Sequence, residues 1–339
     1  MAELLAIDGI GAVGAFGCGR EALLRAAEAG HAPVTSAPAG TGGDTAPAYG
    51  ADDTALKEFI SGRAIRRIDR YSRLALLGAA LALRDAGIHM DETGDDRLGV
   101  VVTTGYGPVS TTVEFLDSMA ADGETYASPT AFSSSVHNAA AAAIAMKLGA
   151  RGPAVSIAQL HLPVVTALQQ ARLLLAQGHV DRVLVGAVEE YHPVVGCAYA
   201  QEFAPTAAGL QPLAFTEQTA IPGEGAAFFL LSRGGTSRAR AAILAIDEGA
   251  QPPLQLAEGG LVRVAADGCR ARGLAFARAL PPRCDAAAAA AVYGSMPTGL
   301  AFELALAAQG VGAADDAALQ CVSVAADGGW GVVRTAVSP

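Results

Sequence analysis

The chain has 339 residues, 52% of them hydrophobic and only 17% charged, with a net charge of −10 at neutral pH. That length buries a large core, as one big domain or two fused halves. The acidic balance excludes a nucleic-acid partner, since no basic stripe is present to neutralise phosphates. No run approaches the ~18–20 uncharged apolar residues of a membrane helix, and the first residues carry no basic leader. Cys18, Cys197, Cys269, Cys284 and Cys321 are scattered without a Cys-x-x-Cys pair, which argues against a disulfide framework or a zinc site. A cytoplasmic protein without a metal is expected. Abundant Ala and Gly favour close helix–sheet packing and a large buried interface.

In chain order, residues 4–10 read as a strand, with Gly9, Gly11 and Gly14 in a glycine-rich turn. The turn is no dinucleotide fingerprint, because no strand with a terminal acidic residue follows at the right distance. Residues 20–29 read as a helix, and the Pro-, Gly-, Ala- and Thr-rich stretch 31–56 as a long surface loop. Arg63, Arg66, Arg67, Arg70 and Arg73 form the one local basic cluster, read as a solvated or ion-paired helix face, with contact to an acidic partner left open. The helix that follows ends near Gly87, a C-cap. Residues 99–105 are a buried strand, 110–119 a helix, and 139–147 an Ala-rich helix capped by Asn138. Residues 154–157 are a short buried strand, 166–177 a helix, 182–190, 225–231 and 241–248 strands, and 301–309 a helix.

The strand 154–157 enters the helix 166–177 through a tight turn. Such a turn presents one side chain at the positive end of a helix, where a nucleophile or an oxyanion is stabilised. Pro163 suits the first helical turn, where its missing N–H is no loss. An enzyme of this design places its nucleophile here. The residue in that place is His161, between Leu160 and Leu162.

Gly152-Pro153, the turn, and Thr166-Ala167-Leu168 resemble the nucleophile elbow of the β-ketoacyl synthases, which have the thiolase fold. Arg67-Ile68-Asp69-Arg70-Tyr71-Ser72-Arg73, Ser128-Pro129-Thr130-Ala131-Phe132-Ser133 and Gly223-Glu224-Gly225-Ala226 resemble the same family. The resemblance covers most of the chain, with specific motifs up to about residue 247. It implies an α/β fold in thiolase-like α/β/α/β/α layers, built from two duplicated βαβ-rich halves with the second shortened. The N-terminal ketosynthase-like half is placed at 1–220 and the truncated C-terminal half at 221–339. Glu224 is implied to bond backbone amides.

The resemblance also shows what is missing. The family's catalytic Cys falls on His161, and the first family His on Tyr293. The second His and its preceding Lys belong to a segment this chain has lost, and no histidine follows His192. Decarboxylative condensation needs a thiolate as acyl carrier and two His-type groups for the enolate and oxyanion. The expected reading is a non-catalytic chain length factor of a type II polyketide synthase, a pseudoenzyme without cofactor. It pairs as a heterodimer with an active ketosynthase, shapes the tunnel of the growing chain, and meets the acyl carrier protein mainly through that partner.

Carried over by position, the tunnel lining falls on Val109, Thr112 and Leu116, which share one helix face, on neighbouring Phe115, and on Val194 and Val195. Medium aliphatic side chains there imply an extended, polyene-type product; the alternative is that they are ordinary core. His161 is expected to plug the vacated pocket and bond nearby backbone. The competing function is a repurposed thiolase-fold enzyme that uses His161, with Tyr293, for malonyl decarboxylation or acyl-thioester hydrolysis.

Overall fold

The computed structural model describes residues 4–90, 94–123, 125, 127–203, 209–234, 239–251, 254, 256, 261–282, 284–311 and 318–337. The chain opens with β1 (Leu5–Gly14), β2 (Gly17–Cys18) and α1 (Arg20–Ala29). A hairpin of β3 (Thr35–Pro38) and β4 (Thr45–Ala48), a 3-10 turn (Thr54–Glu58) and α2 (Gly62–Ile65) lead to α3 (Arg70–Asp85). Then come β5 (Leu98–Thr104), α4 (Val109–Asp122), α5 (Pro129–Ser135), α6 (Ala139–Leu148) and β6 (Ala154–Ala158). α7 (Pro163–Ala176), β7 (Arg182–Glu189), α8 (Pro193–Phe203) and β8 (Gly225–Arg233) follow. The last stretch holds β9 (Ala241–Gly249), β10 (Val262–Val264), α9 (Arg270–Ala279) and β11 (Ala286–Ala287). It ends with α10 (Ala290–Tyr293), α11 (Leu300–Ala307), β12 (Leu319–Val324) and β13 (Trp330–Val337).

The strand order is β11-β10-β12-β13-β9-β1-β8-β7-β5-β6. This is one five-strand pattern used twice. In β6-β5-β7-β8-β1, the first two junctions are parallel and the last two antiparallel. In β11-β10-β12-β13-β9, the same directions recur in the same places. The two sets join through Leu5–Ile7 of β1 against Ala241–Ile243 of β9.

The layers follow from the apolar faces. α7 packs on β5 and β7 and also reaches β9 and β13; α11 packs on β10 and β12 and also reaches β1 and β8. Both therefore lie between the sheets, and every residue of α11 is buried. α3 and α6 cover the outer face of the first sheet, α9 that of the second. The expected five-layer α/β/α/β/α arrangement is the observed one. The second half is the shorter: α3 follows β1, whereas no helix among the described residues lies between β9 and β10.

Local chemistry explains the elements. Asp69 caps α3, its carboxylate accepting from the Ser72 N–H at 2.8 Å, a contact worth about 1 kcal/mol. Gly87, at φ 73, ends that helix in the left-handed region. β5, Leu-Gly-Val-Val-Val-Thr-Thr, is buried along its whole length, as a strand covered on both faces must be.

Four expectations are corrected. Gly9, Gly11 and Gly14 belong to β1 and make no turn. A Cβ at Gly9 or Gly11 would overlap the carbonyl oxygen of Ala82 or Gly78, so these two glycines let α3 lie directly on the sheet. Residues 31–56 contain the β3–β4 hairpin. β6 is an edge strand with Ala154 and Ala158 exposed, not a buried one. Asn138 stands at the N-cap of α6, but its side chain makes no capping bond.

Candidate functional site

β6 leads through residues 159–162 into α7, as the sequence requires. Leu162, at φ 53, is the sole non-glycine residue with positive φ among the described residues. A left-handed leucine costs about 1–2 kcal/mol, and such strain persists only where the surroundings dictate it. The Gln159 amide donates to the His161 carbonyl at 2.8 Å and to Thr166 Oγ1 at 2.7 Å, tying the turn to the helix. The Gln159 N–H donates to the Thr104 carbonyl at 3.0 Å, tying it to β5. The strand–turn–helix geometry is intact, and the side chain it presents is that of His161.

His161 lines a cavity of about 170 Å³, together with Tyr106, Leu160, Arg272, Met296 and Ser323. Its side chain is 54% exposed, so it does not plug the pocket as expected. Its Nδ1 lies 3.7 Å from Asp327 Oδ2 on the β12–β13 turn, beyond hydrogen-bond length. Arg272 is held by Asp267, with Nε 3.1 Å from Oδ1; burial disfavours the charge, but that carboxylate outweighs it and keeps the guanidinium charged.

Tyr293 is not on this cavity. It is fully buried and stacked on Phe302, with ring centroids 4.7 Å apart. Its hydroxyl donates to Glu303 Oε1 at 2.9 Å, and Ala289 N–H donates to the same oxygen at 2.6 Å. The other oxygen, Oε2, pairs with Arg263 at 2.8 Å. A charged pair inside the core, with both oxygens bonded, is a structural device. The structure does not bring His161 and Tyr293 together.

The tunnel candidates separate into two groups. Val194 and Val195 line an apolar cavity of about 540 Å³ on α8, with Tyr106, Ala198, Tyr199 and Phe203. The α4 residues are not on it. Thr112 bonds the Pro108 carbonyl at 2.8 Å, Phe115 packs on Phe132 at 5.3 Å, and Leu116 is exposed. Val109 is the first residue of α4 and half-buried.

Sequence reasoning missed the groups that join these features. Tyr106 borders both cavities. Its hydroxyl lies 2.9 Å from that of Tyr199, which donates to the Ser295 carbonyl at 3.2 Å. At the end of β7, Glu189 accepts from Thr104 Oγ1 at 3.0 Å and from the N–H groups of Gly105 and Tyr106 at 2.6 and 3.0 Å. Burial pushes the carboxyls of Glu189 and Glu190 up to about 7 each. Two acidic residues closing the apolar run 183–188 were the available signal, since charges are buried only when held. Glu224 does bond backbone amides, accepting from Ala51 and Tyr191 at 2.8 and 3.0 Å, and Arg70 pairs with it.

The family model for the β-ketoacyl synthase N-terminal domain matches residues 33–236, from just before β3 to just after β8. The chain belongs to the β-ketoacyl synthase family. This member is 29% identical to polyketide beta-ketoacyl synthase 1 of Streptomyces virginiae over 208 residues, 57% of this chain and 48% of that one. It is 25% identical to 3-oxoacyl-[acyl-carrier-protein] synthase 2 of Coxiella burnetii over 38% of this chain and 31% of that one. The match thus spans about half the length of the first curated relative and about a third of the second. Among solved structures, the ishigamide ketosynthase/chain length factor superposes with TM-score 0.84 at 17% identity over 100% of both chains. A β-ketoacyl synthase from Burkholderia phymatum STM815 gives 0.79 at 17% identity over 99% of this chain and 100% of that one. A type II PKS ketosynthase, solved with its acyl-carrier protein and bound to the hexaketide, gives 0.74 at 14% over 100% of both chains. The fold of this β-ketoacyl synthase family member is thiolase-like.

Proposed function

We propose that the chain is a non-catalytic ketosynthase-like subunit, a chain length factor of type II polyketide biosynthesis. The observation that carries this is the elbow. Its strained turn and its ties to β5 and α7 are kept, yet the residue at the nucleophile's place is a half-exposed histidine. The second half supplies no histidine, and Tyr293 is sealed into the core on Glu303. A thiolate carrier and paired imidazoles, which condensation requires, have no counterpart in these residues.

A heterodimer with an active ketosynthase is supported by the open edge of β6. Pro153 O and Gln159 N bond to β5, so by alternation the N–H and C=O groups of Ala154, Ser156 and Ala158 point outward. Met146 on α6, which packs on β6, and Leu160 in the turn after it are exposed apolar side chains, as are Phe132 and Val136 on and just after α5, which packs on α6. An unpaired strand with apolar neighbours is a template for strand addition.

Arg63, Arg66 and Arg67 are exposed on a chain of net charge −10. We read them as a contact for an acidic carrier protein, whose acyl chain arrives mainly through the partner. We read the chain as an N-terminal ketosynthase-like half and a truncated C-terminal half; the pairing of β8 with β7 and β1 supports a division after β8 over one at 220/221. The apolar cavity at Val194 and Val195 is the part of the expected tunnel we retain, and the medium aliphatic side chains at those two positions suit an extended, polyene-type chain. Residence in the cytoplasm is part of the same reading.

The test is co-expression of a tagged copy with a type II ketosynthase from the same genome. The reading predicts one-to-one association and condensation that needs both chains.

A further inference from the structure

Two cavities meet at one side chain. The elbow cavity, about 170 Å³, holds His161, Leu160 and Arg272. The apolar cavity, about 540 Å³, lies on α8 and has the exposed residues Val194, Ala198 and Glu202 at its rim. Tyr106 lines both.

Tyr106 is fixed at two ends. Its backbone N–H is held by Glu189, which also takes Gly105 N–H and Thr104 Oγ1. Its phenol meets Tyr199 at 2.9 Å. Tyr199 is 6% exposed, and its own O–H goes to the Ser295 carbonyl, so its oxygen accepts from Tyr106. Ser295 is itself anchored, its hydroxyl donating to the Asp267 carbonyl at 2.5 Å and accepting from Ile221 N–H at 2.9 Å. The next two residues, Met296 and Pro297, line the elbow cavity. The phenols and this segment thus form a continuous, hydrogen-bonded wall. Such a wall resists opening, because each freed hydroxyl would be left buried without a partner.

We propose that Tyr106 and Tyr199 form a shut partition, so that the apolar cavity takes a linear acyl chain from outside the subunit and not from its own elbow. This rests on the function proposed above and names its route. The occupant follows from the lining. Aromatic and aliphatic walls with only Gln201 and Glu202 as polar residues at the rim suit an uncharged acyl thioester whose apolar end enters first. Glu189 acts as a positioning residue, setting the backbone from which the phenol reaches.

The test is photo-affinity labelling of the full chain with a long-chain acyl N-acetylcysteamine thioester that carries a diazirine at its chain end. Cross-links are mapped by peptide mass. Wild type is expected to label residues 194–203, with at least tenfold less label on 160–162 and 296–297. Tyr106→Ala, and independently Tyr199→Ala from the α8 side, should raise the elbow label to within about twofold of the α8 label. Equal labelling of both segments in wild type would overturn the partition, and so would an unlabelled 194–203 segment. Folded variants that leave the elbow unlabelled would overturn it as well. If either variant fails to fold, the wild-type map decides alone. A chain that pairs with a ketosynthase but labels otherwise contradicts only the partition; one that labels as expected but ignores every ketosynthase contradicts only the proposed function.

Discussion

Glu190 accepts a hydrogen bond from the Ser110 N–H at 2.7 Å, in the first turn of α4, while its second oxygen is buried without a partner. Asp69 and Glu224 add negative charge nearby, and burial is the largest cause of a pKa pushed up to about 7 from 4.5. Between about pH 4.5 and 7 the folded chain holds a proton that the unfolded chain has lost. This contribution to stability is therefore full below about pH 4.5 and falls as the pH rises to about 7.

Glu190→Gln keeps an acceptor for Ser110 and cannot ionise. It should raise the melting temperature by a few degrees at about pH 8, a gain of about 1–2 kcal/mol, and leave it unchanged at about pH 4.5. Calorimetry at the two pH values checks this. An equal shift at both would show that ionisation is not the cause.

Arg263, Glu303 and Tyr293 form a buried cluster whose roles in stability and in chemistry can be tested separately. Glu303→Gln breaks a buried ion pair and should destabilise by about 3–5 kcal/mol. Tyr293→Phe removes one hydrogen bond to a buried carboxylate and should cost about 1–3 kcal/mol. Urea unfolding measures both. Condensation by the ketosynthase complex should be unaffected by Tyr293→Phe at a temperature where the variant is folded; loss of turnover there would return Tyr293 to the reaction.

Gly11→Ala probes the close approach of α3 to β1. Its Cβ would collide with the backbone of Gly78 and Ala82, neither of which has a flexible end to move. A loss of at least about 2–3 kcal/mol is expected, seen as a lower urea midpoint. A neutral effect would mean that helix and sheet separate more easily than their packing implies.

Ser156→Pro removes an outward N–H from the open edge of β6 while sparing the bonds to β5. The chain should keep its circular dichroism and lose at least tenfold in affinity for a ketosynthase partner, about 1.4 kcal/mol or more. Unchanged affinity would move the interface away from this edge.

The layered fold was legible because its signals are local and strong. Unbroken apolar runs at 98–102 and 225–231 fix buried strands, and Asp69 and Gly87 mark the limits of α3. Gly9 and Gly11 were misread because a glycine pair has two physical uses. It can turn a chain or admit a neighbour, and only the helix lying on β1 distinguishes them. β6 was read as buried because its residues are small and apolar; its place at the sheet edge depends on strand order, which no local pattern carries. His161 was read on the turn between β6 and α7, where it stands, but its half-exposed side chain is a tertiary property that no local pattern carries. The Tyr106–Tyr199 contact joins residues 93 apart in sequence, and nothing in either neighbourhood announces it.

The most direct measurement is mass analysis and sizing of the tagged chain co-expressed with its ketosynthase, with condensation assayed on the purified complex. The account predicts a one-to-one heterodimer, activity only when both chains are present, and no change in the rate of malonyl decarboxylation on His161→Ala. A soluble homodimer that ignores the ketosynthase, and turns over acyl thioesters in a way that His161→Ala abolishes, would contradict it.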